Sequence, residues 1–349
     1  MSKIYKVLIL FDNEAKDEEI LYKGISKMEY NIKDNLSISM SRIELICKRF
    51  KDRPLDKILI DFKSTINRQI TRALSYLIAT KGYMPEIKEI NIIKLDNSNN
   101  YLDDYKTKEV FQPISGKLPD NLKFDSNHLN ILFQNSEKAE VLLISLAYWI
   151  KGMTSLHEGD KFNKLWTSFN SLYSFVSNER SEIKKLTEMR SFILDNEDKF
   201  KLSCSFFDGY SQEDIRRLQW RNLILNDYKE ESNTIAFHGF ITRYYDYRIN
   251  KVFKETICYR KEYLNNKGLL DSANNHIDSC IDRCNKINSE VLALYILKYA
   301  YFIRNKSFHG EKIDTAFHIV KNDEVKELEL LNNILSIFLK ELISINDNY

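Results

Sequence analysis

The chain has 349 residues, of which 43% are hydrophobic and 29% charged, and its 52 basic residues nearly balance its 50 acidic ones. Nine glycines and four prolines make up 13 of the 349 residues, far below the roughly 12% that average usage would give. This low content excludes collagen-like, disordered and turn-dense all-β chains. The near-neutral charge neither requires nor excludes a nucleic-acid partner, because such binding needs only a local basic patch.

Cysteine usage and apolar run lengths indicate the cellular compartment. Five cysteines, an odd number with no CxxC pair, predict free thiols in a reducing environment. The apolar run at 7–11 is too short for a signal-peptide core. The run at 141–150 is well below the roughly 20 residues of a membrane span. We therefore expect a soluble cytoplasmic protein with no membrane partner.

The N-terminal third mixes strand and helix patterns. Residues 5–11 and 88–95 are rich in β-branched residues and predict strands. The apolar alternation over 36–47 slips by one residue, which predicts one bulged strand. Apolar residues recur with a helical period over 58–77. Residues 96–125 hold two prolines and many Asn and Asp, and predict a loop or linker that contains the domain boundary.

The rest of the chain has helical patterns. All four prolines precede residue 120, and proline breaks helix interiors. Ser136 predicts a helix N-cap, and Ser211-Gln-Glu-Asp214 resembles a capping box. The sequence therefore predicts an α+β protein, with a mixed α/β domain at 1–132 followed by an all-α helical bundle at 133–349. Predicted helices start at 136 and 181, include a core-facing stripe over 162–176, and continue at 234–264, 272–286, 289–307 and 323–345.

Common catalytic motifs are absent from the sequence. There is no P-loop, GxGxxG, GxSxG or HExxH pattern. These absences exclude the common nucleotide-binding and hydrolase families, but not enzymes that use a few polar side chains.

One segment combines groups suited to phosphate chemistry. The apolar stretch 291–303 is followed by Arg304, Asn305, Lys306 and, five residues after the arginine, His309. Arginine can hold a phosphate oxygen through two parallel hydrogen bonds, and histidine exchanges protons near neutral pH. RNA carries its own nucleophile, the 2′-hydroxyl, so its cleavage needs a base, an acid and positive charge on the phosphorane.

These residues are our candidate catalytic set. We predict that Arg304 and His309 are catalytic and that Asn305 orients one of them, while Lys306 adds attraction for a substrate phosphate. No metal or other cofactor is expected. The alternatives are a structural Arg304–His309 pair that closes the helix and a merely solvated lysine.

The pattern Ile-Arg-Asn-x-x-Phe-His-Gly at 303–310 resembles the hallmark of the HEPN superfamily. Residues 165–173, followed by Glu179 and Arg180, resemble the first-helix signature of a HEPN branch found in prokaryotic defence proteins. The resemblance implies a HEPN-type bundle at 133–349 and a metal-independent endoribonuclease acting as a toxin or antiviral effector. The expected products carry 2′,3′-cyclic phosphate and 5′-hydroxyl ends.

The resemblance also concerns assembly. It implies a homodimer with a composite active site, and an N-terminal domain that senses a signal or binds an antitoxin or regulatory partner. The alternative is a non-catalytic HEPN dimerisation or binding module that regulates another enzyme.

Two further patterns suggest ligand contacts. Arg243, Arg248 and Lys251 alternate with tyrosines, as in single-strand channels, and are predicted to bind substrate RNA. A solvated amphipathic helix explains the same residues. The same two interpretations, RNA contact or a solvated helix face, apply to the arginines around Trp220, which are Arg216, Arg217 and Arg221. His276, Cys280 and Cys284 share a helix face, an arrangement that resembles a metal site. Structural thiols are favoured, because a fourth ligand is missing.

Overall fold

The computed structural model describes residues 2–12, 19–27, 33–61, 63–110, 114–308 and 320–349. It has a six-stranded antiparallel sheet followed by a helical region, which confirms the predicted α+β class. Among the described residues, every strand ends before residue 108, and all regular elements after residue 133 are helical. The chain divides into two compact units, residues 1–176 with 342–349 and residues 177–341.

The sheet belongs to the first unit. Its strand order is β2-β3-β4-β1-β5-β6. One face is apolar because alternate residues of β1, such as Tyr5, Val7 and Ile9, are buried. The strands are β1 (Lys3–Phe11), β2 (Ile20–Lys27), β3 (Lys33–Ser39), β4 (Arg42–Arg49), β5 (Ile87–Leu95) and β6 (Tyr101–Thr107).

Four helices complete the first unit, the last of which crosses into the second. The Ser64 hydroxyl accepts a hydrogen bond from Ile66 N at the start of the first, and Gly82 ends it with φ of +84°, a conformation that favours glycine. Ser136 caps the third through Ala139 N, as predicted. These helices are α1 (Thr65–Lys81), α2 (Ser126–Leu129), α3 (Glu137–Met153) and α4 (Glu158–Ser177).

Three details of the N-terminal prediction were wrong. The slip in alternation over 36–47 marks the turn between β3 and β4, where Ile38 pairs with Ile43, so the segment is a hairpin and not one bulged strand. The helix predicted from Ile58 begins at Thr65. The predicted linker 96–125 contains β6, an edge strand paired with β5.

The second unit is helical throughout its described residues. The capping box predicted at Ser211 and Asp214 is present. The predicted segment 234–264 is three helices and not one. The helices are α5 (Glu182–Asp195), α6 (Lys201–Ser205), α7 (Gln212–Arg216), α8 (Trp220–Asp227), α9 (Thr234–Thr242), α10 (Tyr247–Thr256), α11 (Lys261–Asn266), α12 (Leu270–Arg283), α13 (Asn288–Ala293), α14 (Ala300–Phe308) and α15 (Asp323–Ser344).

The division between the units differs from the predicted domain boundary. The predicted boundary falls between residues 132 and 133, whereas the compact units divide after Val176, and the C-terminal end of α15 belongs to the first unit. α3 packs on α1, which itself packs on β3 and β4, so these helices share the core of the first unit with the sheet.

Candidate functional site

Arg304 lies on a long buried helical segment of the second unit. The segment runs from α13 to α14 through a π-helical turn over Leu294–Tyr299. Residues 291–297 are all buried, so this stretch is apolar all round, as expected of a core helix. π-Helical turns occur frequently at functional sites.

Arg304 and Asn305 are in direct contact. Arg304 Nη1 donates a hydrogen bond of 2.9 Å to Asn305 Oδ1, and both residues are half-buried. Lys306 is half-buried as well, with Nζ 5.3 Å from the ring centroid of Phe302. The predicted catalytic His309 lies outside the described residues. The Asn305 amide thus contacts the guanidinium, and its orienting role in catalysis stays a prediction.

Tyr299 connects the same segment to two neighbouring helices. Its hydroxyl accepts a hydrogen bond of 3.0 Å from Gln219 N and donates one to Glu327 Oε1. Gln219 Nε2 donates to the other oxygen of that carboxylate at 2.8 Å. Burial, and next the Glu327 carboxylate, raise the pKa of the Tyr299 hydroxyl, so it remains a donor. These bonds hold the segment to the starts of α8 and α15, five residues before Arg304.

Two of the predicted substrate-binding residues present their charge at the surface. Arg243 is exposed, with Nε donating to Gly239 O at 3.0 Å and the guanidinium carbon 5.7 Å from the Phe240 ring centroid. Lys251 Nζ lies 5.2 Å from the Tyr247 ring centroid. Both arrangements suit cation–π contact within the protein and leave the charges near solvent.

Arg248, which was also predicted to bind substrate, is instead buried inside the protein. Its side chain is 0% exposed, and Nε and Nη2 donate to the Asp246 carboxylate. Nη1 donates to the carbonyls of Phe207 and Tyr210, and Nη2 also to Asn288 Oδ1. All five guanidinium donors are used, so none remains for a substrate phosphate. We therefore correct the substrate-binding assignment of Arg248 to a structural one.

The Arg248 network fixes the start of the helical segment that carries Arg304. Asp246 Oδ2 accepts a hydrogen bond from Ile287 N at 2.7 Å. Buried Glu290 accepts two more from the backbone nitrogens of Tyr245 and Asp246 at 2.7 and 2.8 Å. Burial raises the pKa of Glu290, although these two donors act in the opposite direction. Sequence reasoning missed Asp246 and Glu290, because only the tertiary structure brings them together.

The face of α12 that carries His276 and Cys280 is structural. His276 Nε2 lies 2.9 Å from Tyr244 O and 3.6 Å from Cys280 Sγ, while Cys284 is exposed where the helix ends. Within the described ranges, no group of three or more His, Cys, Asp and Glu side chains could hold a metal ion.

The HEPN resemblance spans both units, because residues 165–173 belong to the first unit, whereas Glu179, Arg180 and the 303–310 pattern belong to the second. Trp166, Phe169 and Tyr173 of α4 are buried in the core of the first unit, as predicted for a core-facing stripe. Arg304 belongs to the second unit.

The arginines around Trp220 border a cleft that sequence reasoning identified only in part. Arg216 and Arg221 line it, together with Gln219, Asn222 and Tyr259, whereas Arg217 does not. The signal in the sequence was the cluster of arginines beside an aromatic residue. Tyr259 comes from a distant segment, so no local pattern indicated that it lines the cleft.

Comparison with known proteins finds no match among family models, curated proteins or solved structures. None of the helices in the described part of the chain has the length and apolar character needed to span a bilayer.

Proposed function

We propose that this protein is a metal-independent endoribonuclease of the HEPN type. The observation that carries the proposal is the guanidinium of Arg304, held by Asn305 at the end of a buried helix, five residues before a histidine. The segment also has the Ile-Arg-Asn-x-x-Phe-His-Gly pattern of that superfamily.

The residues suit attack by the 2′-hydroxyl of RNA on the adjacent phosphodiester. His309 takes the hydroxyl proton or donates one to the leaving 5′-oxygen. The Arg304 guanidinium is always charged and stabilises the phosphorane oxygens, and fixing it in advance reduces the reorganisation needed in the transition state. The products are a 2′,3′-cyclic phosphate and a 5′-hydroxyl. No residue in this scheme requires a metal ion.

The spacing of the two residues favours a site shared between two chains. Five residues along an ideal helix rotate a side chain by roughly 140°, so Arg304 and His309 do not share a stripe if the helix continues. Two copies related by a two-fold axis bring one pair from each chain to a single phosphate. We expect a homodimer in light scattering at micromolar concentration, and a monomeric nuclease would contradict the shared site.

The biological role follows from the resemblance alone. We propose a cytoplasmic toxin or antiviral effector, with the sheet-containing N-terminal region (1–132 in the predicted division) sensing a signal or binding an antitoxin or other regulatory partner. In this proposal, residues 133–349 form the HEPN-type helical domain.

Growth on expression tests the proposal against a non-catalytic binding module. The wild-type chain should slow growth, and Arg304→Ala and His309→Ala should relieve the effect at equal protein levels. Arg283→Ala is the matched control, because Arg283 is an exposed arginine of α12. Equal growth in all four strains would support the binding module instead.

A further inference from the structure

A cleft of about 380 Å³ opens in the second unit beside α8. It lies at the small end of the range of ligand pockets, which span about 300–1,000 Å³, and is large enough for one nucleotide. Its lining includes Arg216, Gln219, Arg221, Asn222, Glu255 and Tyr259.

One arginine of the cleft has no acidic partner among the residues that the structure describes. Arg216 Nε pairs with Glu255 Oε2 at 3.1 Å and its Nη1 with Glu213 Oε2 at 3.4 Å, so the charge of Arg216 is neutralised within the protein. Arg221 is exposed and has no hydrogen bond or ion pair with any residue that the structure describes. An arginine without an acidic partner, at the mouth of a cleft, is suited to a phosphate group.

Tyr259 provides a surface on which a nucleic-acid base can stack. The residue is 37% exposed, and its ring stacks on no other aromatic ring within the described ranges. The Trp220 ring is buried and its indole nitrogen donates to Ile215 O at 2.8 Å, so it forms the wall of the cleft and is not a stacking surface. Tyrosine stacks on any base, which favours single-stranded nucleic acid without strong sequence preference.

The cleft lies close to the helical segment that carries Arg304. Gln219, which lines the cleft, donates its backbone N–H to the Tyr299 hydroxyl at 3.0 Å. Tyr299 precedes Arg304 by five residues, about 7.5 Å along a helix axis. The cleft therefore borders this helical segment, while the rotation of roughly 140° over five residues places Tyr299 and Arg304 on different faces of it.

We propose that this cleft binds one nucleotide of single-stranded RNA, with its phosphate on Arg221 and its base on Tyr259. The identity of the ligand as RNA rests on the proposed nuclease function. The cleft itself is a binding site and takes no part in the chemical step.

Salt-dependent binding to the full chain tests the site. The probe is a fluorescent single-stranded RNA of about 12 nucleotides, within the usual site sizes, with its 2′-hydroxyls methylated to prevent cleavage. Arg221→Ala should weaken binding about 3- to 10-fold and reduce the slope of log K against log salt by about 0.7, the loss of one phosphate contact. Tyr259→Ala should weaken binding about 10-fold and Tyr259→Phe little, because the phenylalanine ring still stacks.

Arg217→Ala is the control, because Arg217 lies in the same segment but outside the cleft, paired with Asp214 at 3.5 Å. It should leave the salt slope unchanged. Equal effects of Arg217→Ala and Arg221→Ala would indicate general charge attraction and overturn the proposal, as would unchanged binding by Tyr259→Ala or no binding by the wild type.

A separate cleavage assay distinguishes this proposal from the nuclease function. If the wild type cleaves unmodified RNA while Arg221→Ala binds normally, the cleft assignment is wrong and the nuclease stands. If the cleft variants lose affinity but no form of the protein cleaves RNA, the RNA site stands and the nuclease assignment is wrong.

Discussion

Replacing Arg248 with methionine tests whether this arginine is structural or binds substrate. Methionine retains the apolar stem but leaves the Asp246 carboxylate buried without its cationic partner, and leaves the carbonyls of Phe207 and Tyr210 without a donor. Removing one partner of a buried ion pair costs about 3–5 kcal/mol. In a unit of this size that cost lowers the unfolding temperature by about 6–20 °C.

Circular dichroism melts of the full chain measure the effect, and RNA binding well below the transition measures the alternative role. The control is Arg243→Met, because Arg243 is exposed and its replacement should change stability by no more than about 0.5 kcal/mol. We expect Arg248→Met to be strongly destabilised but to bind RNA normally when folded. A variant that melts like the wild type and has lost RNA affinity would refute the structural assignment.

Three further predictions concern thiols, the orienting amide and a buried acid. Iodoacetamide should rapidly alkylate only Cys258 and Cys284 in the native protein, because the other three thiols are buried and burial raises the pKa of Cys47 to about 12; mass spectrometry reads the sites. Asn305→Ala should lower the rate of RNA cleavage about 10-fold with an unchanged melting temperature, since the guanidinium loses its hydrogen-bond acceptor. Because burial raises the folded-state pKa of Glu290, its contribution to stability is greatest below pH 4.5 and is lost as pH rises through that folded pKa. Melts from pH 4.5 to neutrality should therefore increasingly favour Glu290→Gln over the wild type.

Local signals in the sequence predicted much of the fold. The caps at Ser136 and Ser211 depend on residues within three positions, and both are present. The β-branched residues over 5–11 and 88–95 located β1 and β5. By contrast, β6 is an edge strand with most of its residues exposed, so it has no alternation to detect.

The errors arose where tertiary contacts decide the outcome. A hairpin turn at Met40 and Ser41 shifts the alternation by one residue, as a bulge does, and only strand pairing distinguishes the two. Arg248 has the same neighbours in sequence whether it faces solvent or the core. Its burial depends on Asn288 and on the carbonyl of Phe207, both about 40 residues away in sequence.

Part of the candidate site was predictable because its residues are neighbours in the sequence. Arg304 and Asn305 are adjacent on one helix, so a local pattern placed them together, but it did not decide which residue the Asn305 amide contacts. The cleft near Trp220 was indicated only by its arginines, because Tyr259 reaches it from the turn after α10.

Cleavage of RNA by the purified chain in EDTA tests the central claim most directly. We expect undiminished cleavage with 2′,3′-cyclic phosphate and 5′-hydroxyl ends, lowered about 10²–10⁴-fold by His309→Ala and at least as much by Arg304→Ala. Arg304→Lys should restore little activity, because an ammonium cannot make the two-pronged contact. A substrate with a 2′-deoxy residue at the cut position should bind but resist cleavage. Normal cutting of that substrate, or loss of activity on chelation, would contradict the account.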